Sequence, residues 1–282
     1  MDELTVSVDG AQYLVRGWGE PDGRPLLCWP GAGPRGSMFM SEAGPLLARD
    51  HGARILALDP PGFGGSPPLE RRRYAPGELV DLIPPLASAL GLGRFAFLGF
   101  SWGGDLGCHF AARRPEQLTA LVVLDAGYRD PPVDPTLSYE QLAEQSELRW
   151  QQMCAPSWEV LFEELKKYHR RWSAAIEESY HAGWSEEGGR LVPNFSARVV
   201  AGIEFETARA PASAALRSLA ESRIPVLLVP AAAADEADLI RFAVDVPQAE
   251  IARVEGVGHD VLGDGGPEVV DLIGRWLAEH AS

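Results

Sequence analysis

The stretch Phe95-Ala96-Phe97-Leu98-Gly99-Phe100-Ser101-Trp102-Gly103 constrains the fold more than any other. Its apolar start suits a strand buried on both faces, and it runs straight into Gly-x-Ser-x-Gly. A strand that passes through this pattern directly into a helix holds its serine in a sharp, strained turn, with the hydroxyl thrust into the open. Glycines two residues to either side leave room for that turn, because larger side chains would collide with neighbouring backbone. The continuation from Gly104 reads as a helix with small residues turned toward a sheet. Arg113 and Arg114 fall in its last turn, and Pro115 stands just beyond. Ser101 is therefore the candidate nucleophile.

The rest of the chain supplies the sheet that such a turn requires. Leu4–Val8 and Gln12–Arg16 alternate around Asp9-Gly10, a type I′ turn signal, and predict an opening hairpin. Pro25–Trp29, Arg54–Leu58, Leu121–Leu124 and Pro225–Val229 are short apolar runs of the fully buried kind, and Ala249–Val254 predicts the last strand. Helical spacing appears over Glu78–Leu90 and again in the tail, where Val269, Leu272, Ile273, Trp276 and Leu277 form one stripe. Buried strands alternating with helices predict an α/β fold, a mostly parallel sheet covered on both faces. From Arg129 to Pro211 the alternation stops. That segment holds helical, aromatic-rich stretches with Trp150, Trp158, Trp172 and Trp184, entered through Asp130-Pro131-Pro132-Val133-Asp134-Pro135. It predicts a helical cap over residues 129–211, inserted into a core of 1–128 and 212–282 and seated over the carboxyl edge of the sheet. The cap aromatics would form either its own small core or a substrate pocket.

Composition narrows the function. Twenty-five Lys and Arg against 40 Asp and Glu give a net charge of −15, which argues against nucleic acid or an anionic membrane as partner. The start Met1-Asp2-Glu3-Leu4 shows no secretory leader, and no run is apolar enough for a membrane span, so a cytoplasmic protein is expected. Cys28, Cys108 and Cys154 lie in apolar contexts and are expected to be buried, reduced thiols. Neither cysteines nor histidines have metal-site spacing, so no metal is expected. The glycines from Gly62 to Gly65 are not a phosphate cradle, since no lysine follows at the required spacing.

With its elbow Gly99-x-Ser101-x-Gly103, the chain resembles the α/β-hydrolase superfamily over essentially all of its length outside the insertion. The other matching stretches are Asp59-Pro60-Pro61-Gly62-Phe63-Gly64-Gly65-Ser66, Leu124-Asp125-Ala126-Gly127, and Gly256-Val257-Gly258-His259 ahead of the terminal helix. One departure is Pro30-Gly31 where the family often has His-Gly. The resemblance implies a triad in the order serine, acid, histidine. A serine hydroxyl needs a base within hydrogen-bond reach, and His259, in a glycine-bracketed loop after the last strand, fits that role. The other histidines are read as a helix-face residue (His109), surface positions (His51, His280), and insertion residues that are either solvated or touch substrate (His169, His181).

By analogy the acid follows the strand ending at Val229. Asp235 is nearest that position, with Asp238 one turn later and Asp125, after the preceding strand, as alternatives. The resemblance further implies an oxyanion hole made by the N–H of Trp102 and, after the third strand, that of Ala32. Pro30 and Pro34 have no N–H to offer. Gly31, Gly33 and the Trp102 side chain are expected to touch substrate, and Arg35 is a candidate contact for a substrate carboxylate. The implied activity is hydrolysis of a small, largely apolar ester or related acyl compound through an acyl-enzyme, with a small-molecule substrate and no cofactor. An amide or N-terminal peptide bond and a carbon–carbon bond are alternatives on the same residues, and a ligand-binding protein without turnover is a third. Haloalkane dehalogenases and epoxide hydrolases of similar architecture carry aspartate where this chain has Ser101.

Overall fold

The computed structural model describes residues 1–281. Asp9 and Gly10 both take positive φ, which folds β1 (Asp2–Val8) back on β2 (Ala11–Trp18) as an antiparallel pair. β3 (Arg24–Trp29), α1 (Ala43–His51), β4 (Ala53–Leu58), α2 (Pro76–Ala89), β5 (Phe95–Phe100), α3 (Trp102–Arg113) and β6 (Leu118–Leu124) follow in strict alternation. After an insertion the alternation resumes with α8 (Leu216–Ser222), β9 (Val226–Val229), α9 (Glu236–Asp245), β10 (Ala249–Ile251) and α10 (Val261–His280). The eight strands form one sheet in the order β1-β2-β4-β3-β5-β6-β9-β10, in which only β2 runs against its neighbours.

Side chains along the central strands alternate between two cores. Leu27, Trp29, Leu56, Leu58, Phe95 and Phe97 face the layer of α2, α3 and α8. Leu26, Cys28, Ile55, Ala57, Ala96 and Leu98 face that of α1 and α10. This two-residue period on strands buried from both sides explains why they read as unbroken apolar runs. Each such Leu or Phe contributes roughly 1.5–3 kcal/mol by leaving water. The strand order reverses between β3 and β5, because the chain moves outward to β4 before crossing back. The loops after β3 and β5 therefore open a crevice at their carboxyl ends, where ligands bind in sheets of this kind.

The inserted segment holds α4 (Tyr139–Met153), α5 (Trp158–Lys166), α6 (Ala174–His181), β7 (Trp184–Glu187), β8 (Arg190–Pro193) and α7 (Ala197–Thr207). Each of its helices starts at a serine, Ser138, Ser157, Ser173 or Ser196, whose hydroxyl accepts a first-turn N–H. The β7–β8 hairpin, turning at Gly188-Gly189, departs from the all-helical expectation. Its strands are four residues each and mostly exposed, too short to register as apolar runs. Trp184, Leu161, Phe162, Ile176 and Tyr180 bury against one another with Trp158 and Trp172, so these aromatics form a small core within the segment. Cys28 and Cys108 are buried and Cys154 only partly so, and all three are free thiols. Among the described residues no helix is long and apolar enough to cross a membrane.

Candidate active site

Ser101 sits between β5 and α3 at φ 53°, ψ −125°, a backbone conformation rarely open to a side chain. Its N–H donates to the Leu124 carbonyl at 2.9 Å, and its own carbonyl accepts the N–H groups of Gly104 and Asp105, at 2.7 and 3.1 Å. These bonds lock the turn. A Cβ on Gly99 would overlap the Gly103 carbonyl, and one on Gly103 would overlap that of Trp29. The two glycines are thus required by close approach of backbone, as the pattern implied.

His259 lies in the loop between β10 and α10, with Nε2 3.0 Å from Ser101 Oγ and Nδ1 2.6 Å from Asp125 Oδ2. Asp125 follows β6 at φ 45°, and its carboxylate is almost wholly buried. Oδ1 accepts the Tyr128 hydroxyl at 2.5 Å and the Ala231 N–H at 2.9 Å. Burial pushes the Asp125 carboxyl up, but the bonds from His259, Tyr128 and Ala231 outweigh it and hold the group below its usual range. Burial and the adjacent carboxylate push the Tyr128 phenol up, so Tyr128 is the donor in this pair. An ionised carboxylate only accepts. In the neutral imidazole the proton therefore sits on Nδ1, and Nε2 turns its lone pair to the serine hydroxyl.

Asp235, the expected acid, is elsewhere. It caps α9, accepting the Ala237 N–H at 2.7 Å, while the partners of His259 are Asp125 and Ser101. Asp238 pairs with Arg241. The register gives the reason. Phe100 pairs with Leu124 and Leu124 with Val229, so Ser101, Asp125 and Pro230 leave the sheet at one level. Asp125 is one strand from the serine, whereas Asp235 comes two strands away and after a further stretch of loop.

The Ala32 N–H and that of Trp102, the first residue of α3, have no backbone acceptor among the described residues, while the next amide, Gly33 N–H, turns back to Gly31 O at 2.9 Å. Gly31, Ala32 and Gly33 line a cavity of about 310 Å³ together with Ser101 and His259. The Trp102 side chain does not. It is buried against Trp29 and Phe63, ring centroids 5.9 and 6.1 Å away, which corrects the expectation that it touches substrate. The remaining wall combines Phe39 and Phe100 with polar groups that the sequence did not bring together: Arg35, Tyr168, His169, Tyr180 and Asp260. His181, the other histidine of the insertion, instead packs against Trp158, ring centroids 4.1 Å apart and tilted by 51°.

A second carboxylate organises the ground beneath. Asp264, 3% exposed, accepts the Gly258 N–H through Oδ2 at 2.7 Å and the Arg170 N–H through Oδ1 at 2.9 Å. It therefore ties the residue before His259 to the residue after His169. Arg171 adds an ion pair to Glu42 and a bond to Gly263 O at 3.1 Å. The inserted segment is pinned to the same loop that carries His259.

The family model described as alpha/beta hydrolase fold matches residues 24–229. The chain belongs to the α/β-hydrolase family. Among individual proteins, it is 32% identical over 131 residues to the human (Homo sapiens) serine hydrolase-like protein, a match covering 44% of this chain and 61% of that one. It is 35% identical over 128 residues to a serine hydrolase-like protein of Danio rerio, covering 44% of this chain and 37% of that one. The chain thus matches less than two thirds of the length of either relative. A thioesterase domain from the curacin biosynthetic pathway superposes with a TM-score of 0.78 at 20% identity, over 97% of this chain and 98% of that one. That likeness speaks to the α/β-hydrolase fold as a whole.

Proposed function

We propose that this α/β hydrolase is a serine hydrolase that cleaves a small ester or related acyl compound through an acyl-enzyme. The carrying observation is the chain of bonds from Asp125 through His259 to Ser101 Oγ, at 2.6 and 3.0 Å, opening on one small cavity. Ser101 attacks the substrate carbonyl as His259 Nε2 takes its proton. Asp125 fixes the tautomer and stabilises the imidazolium, and Tyr128 and Ala231 hold Asp125 in turn. The N–H groups of Trp102 and Ala32 receive the oxyanion, a donation worth about 10²–10³ in rate for each group. His259 returns its proton to the leaving oxygen, and water repeats the sequence to free the acid. Residues 129–211 act as the cap, supplying Tyr168, His169 and Tyr180 to the cavity wall.

The test is hydrolysis of p-nitrophenyl esters of graded chain length, alongside fluorophosphonate labelling. Wild-type protein should turn over the short esters and take the label, and Ser101→Ala should do neither. A folded wild-type protein that neither turns over esters nor labels would sink the reading in favour of a binding protein. Labelling without ester turnover would move the substrate to an amide or a carbon–carbon bond on the same residues.

A further inference from the structure

Arg35 stands on the oxyanion loop and lines the cavity that holds Ser101. Its side chain is only 12% exposed, and Asp260, 14% exposed, lies 2.8 Å from Nη2. Asp260 Oδ2 meets the guanidinium through that one nitrogen only. The guanidinium also lies over the Tyr180 ring, 5.1 Å from its centroid. Its positive charge is neutralised by Asp260. A guanidinium carries five N–H donors, and beyond Asp260 no described residue accepts from this one. Because Arg35 lines the cavity, those remaining donors are the ones a bound molecule can meet.

Arginine in a cavity invites the reading that it binds a substrate carboxylate, but the surroundings oppose it. Asp260 already balances the charge, Asp264 lies behind His169 with Oδ1 3.5 Å from Nδ1, and Asp125 sits across the site. Burial lowers the pKa of His169 and so disfavours its cationic form. A further anion would enter a space whose fixed charges already sum to negative. An uncharged acceptor incurs no such penalty and still gains a charge-assisted bond.

The geometry points to Arg35 as a specificity-determining anchor for a second, uncharged oxygen acceptor on the substrate, a carbonyl or ether oxygen beyond the scissile bond. The inference rests on the serine-hydrolase reading above and narrows its substrate to neutral oxygenated acyl compounds.

Matched p-nitrophenyl esters test it: 4-oxopentanoate against pentanoate, and 6-oxoheptanoate against heptanoate and hydrogen adipate. On the alcohol side, 2-methoxyethyl acetate is set against butyl acetate. In at least one pair the oxygenated neutral ester should exceed its apolar counterpart by about tenfold in kcat/KM, and the adipate monoanion should be the poorest of its set. Arg35→Met should erase that ratio, whatever it does to the common rate. The double variant Arg35→Met/Asp260→Asn should do the same without leaving a buried charge unpaired. Thermal shift of Ser101→Ala with the intact esters should reproduce the ranking without turnover. Equal rates across every pair and equal shifts would overturn the anchor while leaving the serine hydrolase intact, and preference for the monoanion would replace it with a carboxylate site. Loss of all turnover and labelling in wild type would instead count against the hydrolase reading itself.

Discussion

Asp125 and Asp235 show how one side chain's surroundings decide its role. Asp125 receives three hydrogen bonds at the end of a central strand, whereas Asp235 caps an exposed helix. Asp125→Asn keeps the shape but loses the charge that fixes the His259 tautomer, so kcat should fall about 10³–10⁴-fold. Asp235→Asn should leave kcat within about twofold and Tm nearly unchanged, since asparagine caps a helix about as well. Steady-state kinetics on the two variants decide the matter, and the opposite ranking would restore Asp235. The serine and histidine were legible because each is framed by glycines that backbone geometry demands. Asp125 stood only as an alternative to Asp235, because the signal that separates them is register. That β6 neighbours β5 is set by pairing between strands, which no local pattern encodes. Leu124-Asp125-Ala126-Gly127 did carry a trace of it, an aspartate at the end of an apolar run with a glycine two residues on.

Elements came through the sequence as well as their periodicity allowed. The strands of the sheet and helices α2, α3 and α10 follow from runs and stripes, whereas the β7–β8 hairpin is short, exposed and without a period to read. The coupling between the insertion and the loop carrying His259 was also hidden, because Asp264 bonds both Gly258, six residues before it, and Arg170, 94 residues before it. Asp264→Asn tests that coupling. Asparagine has one accepting oxygen for two N–H donors and turns its NH₂ toward the other, which costs about 1–3 kcal/mol at a buried site. The expected result is a ten- to hundredfold loss in kcat/KM, with faster tryptic cleavage at Arg170-Arg171 as the segment loosens. Unchanged kinetics and cleavage would reduce Asp264 to a packing residue.

The whole molecule carries a net charge of −15, yet one of its carboxyls, in the first turn of α3, has its pKa raised. Asp105 accepts the Gly127 N–H at 2.9 Å and is pushed up to about 7 by burial. A carboxyl whose pKa is raised on folding binds its proton more tightly in the folded state. Between the unfolded value near 4 and the folded value of about 7, the unfolded chain ionises first, so this group's contribution to stability falls as pH rises. Above that window the penalty is complete, and below it there is none. Asp105→Asn keeps an oxygen for Gly127 and removes the titration. Its Tm should match wild type near pH 4 and exceed it by roughly 2–4 °C at pH 8, for each kcal/mol of relieved penalty. Thermal melts of both proteins across that range give the answer directly, and a Tm difference that stays constant with pH would show that Asp105 ionises in the folded protein as it does in the unfolded chain.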